Sequence, residues 1–123
     1  MILLDTSVWV DHLRRGDSQV VTLLESGQAA AHAFVIGELA CANLKSRAQV
    51  VDLLRGLPQL ALAADDEVLY FIDKHKLMGR GTGYVDVHLL AAAAIGGSLL
   101  WTRDKPLRVI ASELGIAYVD GPR

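Results

Sequence analysis

An α/β fold with a parallel sheet covered by helices on both faces is the architecture that the sequence predicts. Short apolar segments alternate along the chain with longer segments of helical periodicity. The short segments are hydrophobic at nearly every position, which is typical of strands buried between two layers of helices. With 123 residues, of which 52% are hydrophobic, the chain can form one core and needs no disulfide to stabilise it. We therefore expect residues 1–123 to form a single domain.

The order of predicted elements follows from composition, periodicity and end signals. Five segments have the length and composition of buried strands: 2–4, 29–32, 60–62, 98–102 and 116–119. Seven segments between them are predicted helices: 8–14, 19–26, 34–44, 46–54, 65–78, 84–95 and 105–114. Thr6 or Ser7 is the expected cap of the first helix, and the glycine-rich segment 79–83 is an expected loop.

Charge and cysteine content narrow the class of protein. The net charge is −2, from 12 Lys and Arg against 14 Asp and Glu, so bulk charge does not drive nucleic-acid binding. A nuclease whose acids gather in one pocket remains compatible with this balance. The single Cys41 cannot form an internal disulfide, and the longest apolar run, 89–100, is too short to span a membrane. These features favour a soluble cytoplasmic protein that is not bound to a membrane.

Four acidic residues occupy positions that converge in this architecture. Asp5 and Asp104 come just after predicted strands, Asp86 lies in the first turn of a helix, and Glu38 lies one turn into another. In a parallel α/β layer, the helix N-termini lie at the carboxyl edge of the sheet, where such folds bind ligands. We expect all four side chains to face that edge.

Four carboxylates in one cleft repel each other, so such a site is stable mainly when it holds cations. Ligation by oxygen alone selects hard ions such as Mg²⁺ or Mn²⁺. A bound ion of this kind activates water and neutralises the charge of a phosphodiester. The four acids therefore point to metal-dependent phosphodiester hydrolysis.

Four local sequences resemble the motifs of PIN domains, in the same order and over essentially the whole chain. They are LDTSVW at 4–9, VIGEL at 35–39, VDVHLLAAA at 85–93 and TRD at 102–104. Within that family the chain looks most like the VapC-type toxins of toxin–antitoxin modules. The resemblance implies a three-layer fold with a five-stranded parallel sheet, Mg²⁺-dependent RNA cleavage with Mn²⁺ as a substitute, a homodimer and a cognate antitoxin.

The resemblance also assigns roles by motif position. It implies that Asp5 and Asp86 are the leading metal ligands, that Glu38 and Asp104 bind directly or through water, and that Thr6 and Thr102 support the acids. One departure is Gly83, where many relatives have Ser or Thr, so a supporting hydroxyl is missing there. The activity of a toxin must be inhibited until it is needed. We therefore expect an antitoxin segment that lies on an apolar groove and places an Arg or Lys among the four acids.

Ordinary structural roles compete with these assignments. Asp5, Asp86 and Asp104 are each suited to cap a helix, whereas Glu38 interrupts an apolar helix surface and is harder to explain without a partner. The histidines are expected in packing or surface roles, Cys41 in the core, and Trp9 and Trp101 in the core or an interface. The apolar residues Leu44, Val50, Val51 and Leu54 are a candidate patch for a dimer or antitoxin.

Several basic residues are candidates for contact with RNA phosphates. They are Arg14, Arg15, Lys74, Lys76, Arg80, Arg103 and Arg108. For the group at 74–80, such a role requires that its helix end near the acidic edge.

Other functional classes fit less well. A phospho-acceptor receiver domain needs paired acids after the first strand, and dinucleotide-binding or P-loop folds need a glycine-rich loop there; the sequence has neither. A catalytically silent PIN scaffold that binds RNA or protein stays open as the alternative, although such relatives lose one or more of the four acids.

Overall fold

A parallel sheet with its first strand at the centre organises the chain in a computed structural model that describes residues 1–119. Three strands and seven helices lie within those residues. In order they are β1 (Ile2–Leu4), α1 (Thr6–Arg15), α2 (Ser18–Glu25), β2 (Ala29–Ala30), α3 (Ala33–Cys41), α4 (Arg47–Arg55), α5 (Asp65–His75), α6 (Tyr84–Ile95), β3 (Leu99–Trp101) and α7 (Lys105–Glu113). The strand order is β2-β1-β3.

Strand β1 is covered on both faces. Its three consecutive residues are all buried, and successive side chains of a strand point to opposite faces of the sheet. Ile2 pairs with Ala29 of β2 and with Leu99 of β3, in parallel on both sides. The predicted class, a parallel sheet flanked by helices, is confirmed.

The two outer strands predicted at 60–62 and 116–119 are each reduced to a single parallel bridge. On one side Ala31 pairs with Gln59, and on the other Leu100 pairs with Ala117. Each bridge has two backbone hydrogen bonds; at the second bridge, Leu100 N donates to the Ile116 carbonyl at 2.7 Å and Tyr118 N donates to the Leu100 carbonyl at 2.9 Å. Pro58, which lacks an N–H donor, stands beside the first bridge and limits its extension. The five predicted strand positions are therefore three strands and two bridges.

Residues just past the strands cap the helices that follow. Asp5 caps α1, accepting a hydrogen bond from Val8 N at 3.3 Å, so the prediction of Thr6 or Ser7 as the cap was wrong. Asp104 caps α7 through Leu107 N at 3.0 Å. These caps fix the two carboxylates at the carboxyl edge of the sheet, because both residues lie where a strand turns into a helix.

Two predicted helices were too long at their C-terminal ends. Helix α3 ends at Cys41 instead of residue 44, and α5 ends at His75 instead of residue 78. Lys76 adopts a left-handed φ of 54°, which stops α5. The longest helix within residues 1–119 is α6, with 12 residues, and none there has the length and apolarity needed to cross a membrane.

Burial changes the interpretation of several apolar residues. Val50 and Leu54 are buried in the core, but Leu44 and Val50 also line a surface groove, so the predicted patch is present in part. Cys41, expected in the core, is exposed. Trp9 and Trp101 are fully buried, which confirms their predicted place in the core.

Candidate functional site

Asp5 is the most deeply placed of the four acids. It follows β1 directly, only 5% of its surface is exposed, and its backbone N–H donates to the Trp101 carbonyl at the end of β3. Its Oδ1 accepts a hydrogen bond from Ser7 Oγ at 2.5 Å, and its Oδ2 accepts one from the Thr102 hydroxyl. Burial raises the pKa of the Asp5 carboxyl, while the Ser7 and Thr102 hydroxyls and nearby backbone N–H groups oppose the rise. Asp5 is thus a buried acid whose two oxygens are already oriented.

Thr102 joins the acid after β1 to the acid after β3. Its Oγ1 donates to Asp5 and accepts a hydrogen bond from Asp104 N at 3.0 Å. Because one hydroxyl makes both contacts, the position of Asp104 depends on that of Asp5. Asp104 itself is exposed, so its carboxylate can meet a ligand from solvent.

Glu38 approaches from a different helix and is held by α1. Thr6 Oγ1 donates to Glu38 Oε1 at 2.5 Å. Glu38 is exposed, although the sequence suggested that it interrupts an apolar surface. The difference follows from helical spacing, since Val35 and Leu39 face the core and leave Glu38 on the solvent side of α3.

The raised pKa of the Asp86 carboxyl indicates that the four acids share one site. Its pKa is raised from the ordinary value of 3.8 to about 6. Burial is the largest cause, and the negative charges of Asp104, Asp5 and Glu38 follow, against a hydrogen bond from the Gly83 backbone. A raised carboxyl pKa beside other carboxylates is the expected result of like charges brought close in a partly desolvated cleft. The convergence that the sequence predicted is therefore present.

The donor set suits a hard divalent cation that keeps part of its water shell. Among residues 1–119, no three acidic, histidine or cysteine side chains converge closely enough to enclose an ion by themselves. Mg²⁺ commonly binds through one or two carboxylates and retains several waters. Because the negative charges of the other three carboxylates add to burial in raising the pKa of Asp86, a cation between the acids relieves a repulsion that exists in the fold. The four acidic residues therefore fit a divalent ion whose coordination shell is completed by water molecules.

One supporting residue had gone unnoticed in the sequence. Ser7, two residues after Asp5, donates to its carboxylate and accepts a hydrogen bond from Arg103 N at 2.9 Å. The DTS sequence at 5–7 contained this signal, because Ser and Thr hydroxyls often bond to groups a few residues away.

The basic candidates for RNA contact lie in different surroundings. Arg80 binds Glu113 with both bonds near 3.0 Å, and Arg15 pairs with Asp11 at 3.3 Å. Arg14 is exposed beside an apolar groove. Arg108 is exposed one turn into α7, close in sequence to Asp104.

The basic residues at the end of α5, Lys74 and Lys76, do not lie near the acidic edge of the sheet. Helices α5 and α6 begin at the same end, since Asp65 in the first turn of α5 accepts a hydrogen bond from Tyr84 OH at 3.1 Å and lies 3.6 Å from His88 Nε2, both near the start of α6. Lys74 and Lys76 are therefore at the opposite end of α6 from Asp86. The condition for their contact with RNA, a helix that ends near the acidic edge, is not met.

Two apolar grooves open on the surface, one along α3 and one between α1 and α4. One is lined by Ala33, Phe34, Gly37, Glu38, Cys41 and Val85, so it includes one of the four acids. The other lies between α1 and the start of α4 and includes Val10, Leu13, Arg14, Leu44 and Lys45. Both have the apolar lining expected of a docking surface for a protein segment.

Comparison with known proteins agrees with the motifs. The family model for the PIN domain matches residues 2–113. Ribonuclease VapC32 of Mycobacterium tuberculosis is 46% identical over 121 residues, which are 98% of this chain and 98% of that protein. Two solved structures share the fold. The crystal structure of FitAcB from Neisseria gonorrhoeae has a TM-score of 0.63 at 22% identity and covers 91% of this chain and 94% of its own. The structure of FitAB bound to an IR36 DNA fragment has a TM-score of 0.61 at 21% identity and covers both chains fully.

The raised pKa of Asp86 predicts how stability depends on pH without metal. In the folded protein the pKa is about 6, against 3.8 ordinarily, so between pH 4 and 6 the folded state binds more protons than the unfolded state. The contribution of Asp86 to stability therefore falls as pH rises through that window. At pH 7 in chelator, we expect Asp86→Asn to unfold at the same temperature as the wild type or a higher one, with this advantage shrinking toward pH 4. Thermal unfolding monitored by circular dichroism measures both.

Asp73→Asn is the matched control, because Asp73 is exposed on α5 outside the cluster. An Asp86→Asn protein that is less stable than the wild type at pH 7, by the same margin as at pH 4, would contradict the repulsion among the four acids.

Proposed function

This chain belongs to the PIN domain family, and from that premise we propose that it is a metal-dependent ribonuclease acting as the toxin of a toxin–antitoxin pair. The observation that carries the proposal is the shared field of Asp5, Glu38, Asp86 and Asp104 at the carboxyl edge of the sheet. The relative of 46% identity is itself named a ribonuclease, and it aligns over nearly the whole chain. The proposal extends to residues 1–123 as a single PIN domain and to a cytoplasmic location.

We assign the metal to the acidic cluster. Asp5 and Asp86 are the proposed principal ligands of Mg²⁺, or of Mn²⁺ in its place, with Glu38 and Asp104 bound directly or through water. Such an ion supplies Lewis acidity toward the phosphodiester and lowers the pKa of a bound water. The chain's own groups hold the ligands in place: Ser7 and Thr102 orient the Asp5 carboxylate.

The outer acids have separate supports. Thr6 holds the Glu38 carboxylate through its hydroxyl, and the cap of α7 holds Asp104. Since these contacts come from different elements, the fold sets the spacing of the acids before an ion arrives. Preorganised ligands lose little freedom on binding, which favours the cation over water.

RNA is the proposed substrate, and its phosphates are expected to meet basic residues around the cluster. Arg108 lies one helical turn after Asp104 in α7 and is exposed. Arg14, Arg15, Arg80 and Arg103 remain predictions, and the latter three already have acidic partners that RNA would have to replace or share.

A cognate antitoxin and a second copy of the chain are the proposed protein partners. The resemblance to VapC-type toxins motivates both, and the two apolar grooves offer surface for them. The groove along α3 contains Glu38, so a segment seated there would end beside the acids.

Loss of one principal ligand should nearly abolish cleavage. We expect Asp5→Asn or Asp86→Asn to lower RNA cleavage by on the order of 10²-fold or more in Mg²⁺, because each removes a charged ligand of nearly unchanged size. Chelator should abolish cleavage by the wild type, and Asp73→Asn should retain it. The assay is cleavage of structured RNA by extensively purified protein. Full activity of Asp5→Asn would contradict the mechanism, and a wild type that binds RNA without cutting it in any divalent metal would favour a silent scaffold.

The antitoxin is expected to inhibit the site with a basic side chain. A basic residue of its bound segment should lie among the four acids, since Arg pairs bidentately with a carboxylate and stays charged at physiological pH. Removing that one residue should restore cleavage while reducing affinity less than loss of the segment's apolar residues does. Binding and cleavage measured on the same complexes distinguish the two effects. An inhibited complex that leaves the acids open to solvent would show that inhibition works another way.

A further inference from the structure

Each residue from Thr102 to Asp104 makes hydrogen bonds that fix the end of β3. Thr102 donates to Asp5, and Asp104 caps α7. The residue between them, Arg103, bonds to Ser7 and Asp11 of α1 and to Asp17 at the start of α2. Three consecutive residues thus tie the end of β3 to three different elements.

The guanidinium of Arg103 is held by two carboxylates. Its Nη1 donates to Asp11 Oδ2 at 3.0 Å, and its Nη2 donates to Asp17 Oδ2 at 2.6 Å. The same guanidinium lies 5.4 Å from the centre of the Trp101 ring. Only 26% of the Arg103 side chain is exposed, so these ion pairs are screened less than those on an open surface.

Asp17 is fixed independently of Arg103. Its Oδ1 caps α2 by accepting from Gln19 N at 2.8 Å, which leaves Oδ2 for the arginine. Burial works to raise the pKa of Asp17, but the hydrogen bond from Arg103 and those from backbone N–H groups outweigh it and keep the pKa below its ordinary value. The cap of α2 therefore holds the Asp17 carboxylate in place, and Arg103 helps to keep it charged.

The backbone of Arg103 reaches the acidic cluster directly. Its N–H donates to Ser7 Oγ at 2.9 Å, and Ser7 donates to Asp5 Oδ1 at 2.5 Å. The side chain thus anchors residue 103 on α1 and α2, while its backbone orients the hydroxyl that orients Asp5. A shift at residue 103 changes Asp5 through Ser7 and Asp104 through the adjoining peptide.

We propose that Arg103 is a positioning residue that, clamped between Asp11 and Asp17, sets the spacing of Asp5 and Asp104 and thereby the affinity of the acidic cluster for its divalent ion. This inference rests on the proposed metal site. This supporting role does not depend on contact between Arg103 and RNA.

The test compares metal binding in variants of the clamp. Asp17→Asn removes the charge that holds the arginine and keeps a side-chain oxygen for the cap of α2, since Asn caps helices as well as Asp does. Arg103→Met removes the clamp from the other side, and Arg103→Lys keeps the charge without the two-armed geometry. Arg55→Met is the control, because Arg55 is exposed at the end of α4 and its loss changes net charge equally.

The primary readout is the Mn²⁺ or Mg²⁺ concentration that gives half of the maximal rise in melting temperature. We expect Arg103→Met and Asp17→Asn to raise it by about tenfold, within the range for groups that orient metal ligands. Arg103→Lys should lie between them and the wild type, and Arg55→Met should match the wild type. RNA cleavage should recover in Asp17→Asn when the metal concentration is raised to saturation. The double variant should be no worse than the worse single variant, because both changes remove one contact.

The outcomes separate this proposal from the proposed function. A wild type that metal stabilises, together with clamp variants of unchanged metal midpoint and lowered melting temperature, would overturn the positioning role and leave the metal site intact. A wild type without any metal-induced shift would overturn both. If Arg103→Met does not fold, Asp17→Asn and Arg103→Lys still decide the question, since an unchanged midpoint in both contradicts the proposal.

Discussion

Mutual repulsion among four carboxylates at one edge of a buried sheet is the constraint on which the rest of the structure depends. The fold places Asp86 where burial and the charges of Asp104, Asp5 and Glu38 raise its pKa to about 6. A chain gains nothing in stability from such an arrangement, because like charges in a partly desolvated cleft oppose folding. The surrounding core, with β1 buried on both faces, has to hold the acids together against that repulsion.

Asp5 and Asp104 combine a structural role as helix caps with the proposed role of metal ligands. Asp5 and Asp104 cap helices, which satisfies backbone N–H groups and fixes each carboxylate at the end of a strand. Hydroxyl groups from Ser7 and Thr102 supply hydrogen bonds that partly offset the burial of Asp5. The capping role and the proposed ligand role are therefore compatible, since a carboxylate has two oxygens with more than one acceptor position each.

The sequence predicted the convergence of the acids well, because it depends on local signals. A buried strand followed by an acid and a helix start is visible in the residues themselves, and parallel α/β geometry brings such acids to one edge. Features that depend on tertiary packing were missed. The outer strands shrink to single bridges, Cys41 is exposed, and Val50 turns inward, and none of these follows from the composition of its own segment. The ion pairs of Arg103 could not be predicted either, because its partners Asp11 and Asp17 lie more than eighty residues away in the sequence.

The central claim is that the four acids share one electrostatic field that a divalent ion relieves. Titration of the Asp86 carboxyl carbon by NMR tests it directly, with and without Mg²⁺ and in the Asp104→Asn variant. The account predicts a pKa of about 6 in the metal-free protein, a lower pKa in Asp104→Asn, and a marked fall on addition of Mg²⁺. An Asp86 pKa close to the ordinary 3.8 that responds to neither Mg²⁺ nor Asp104→Asn would contradict it.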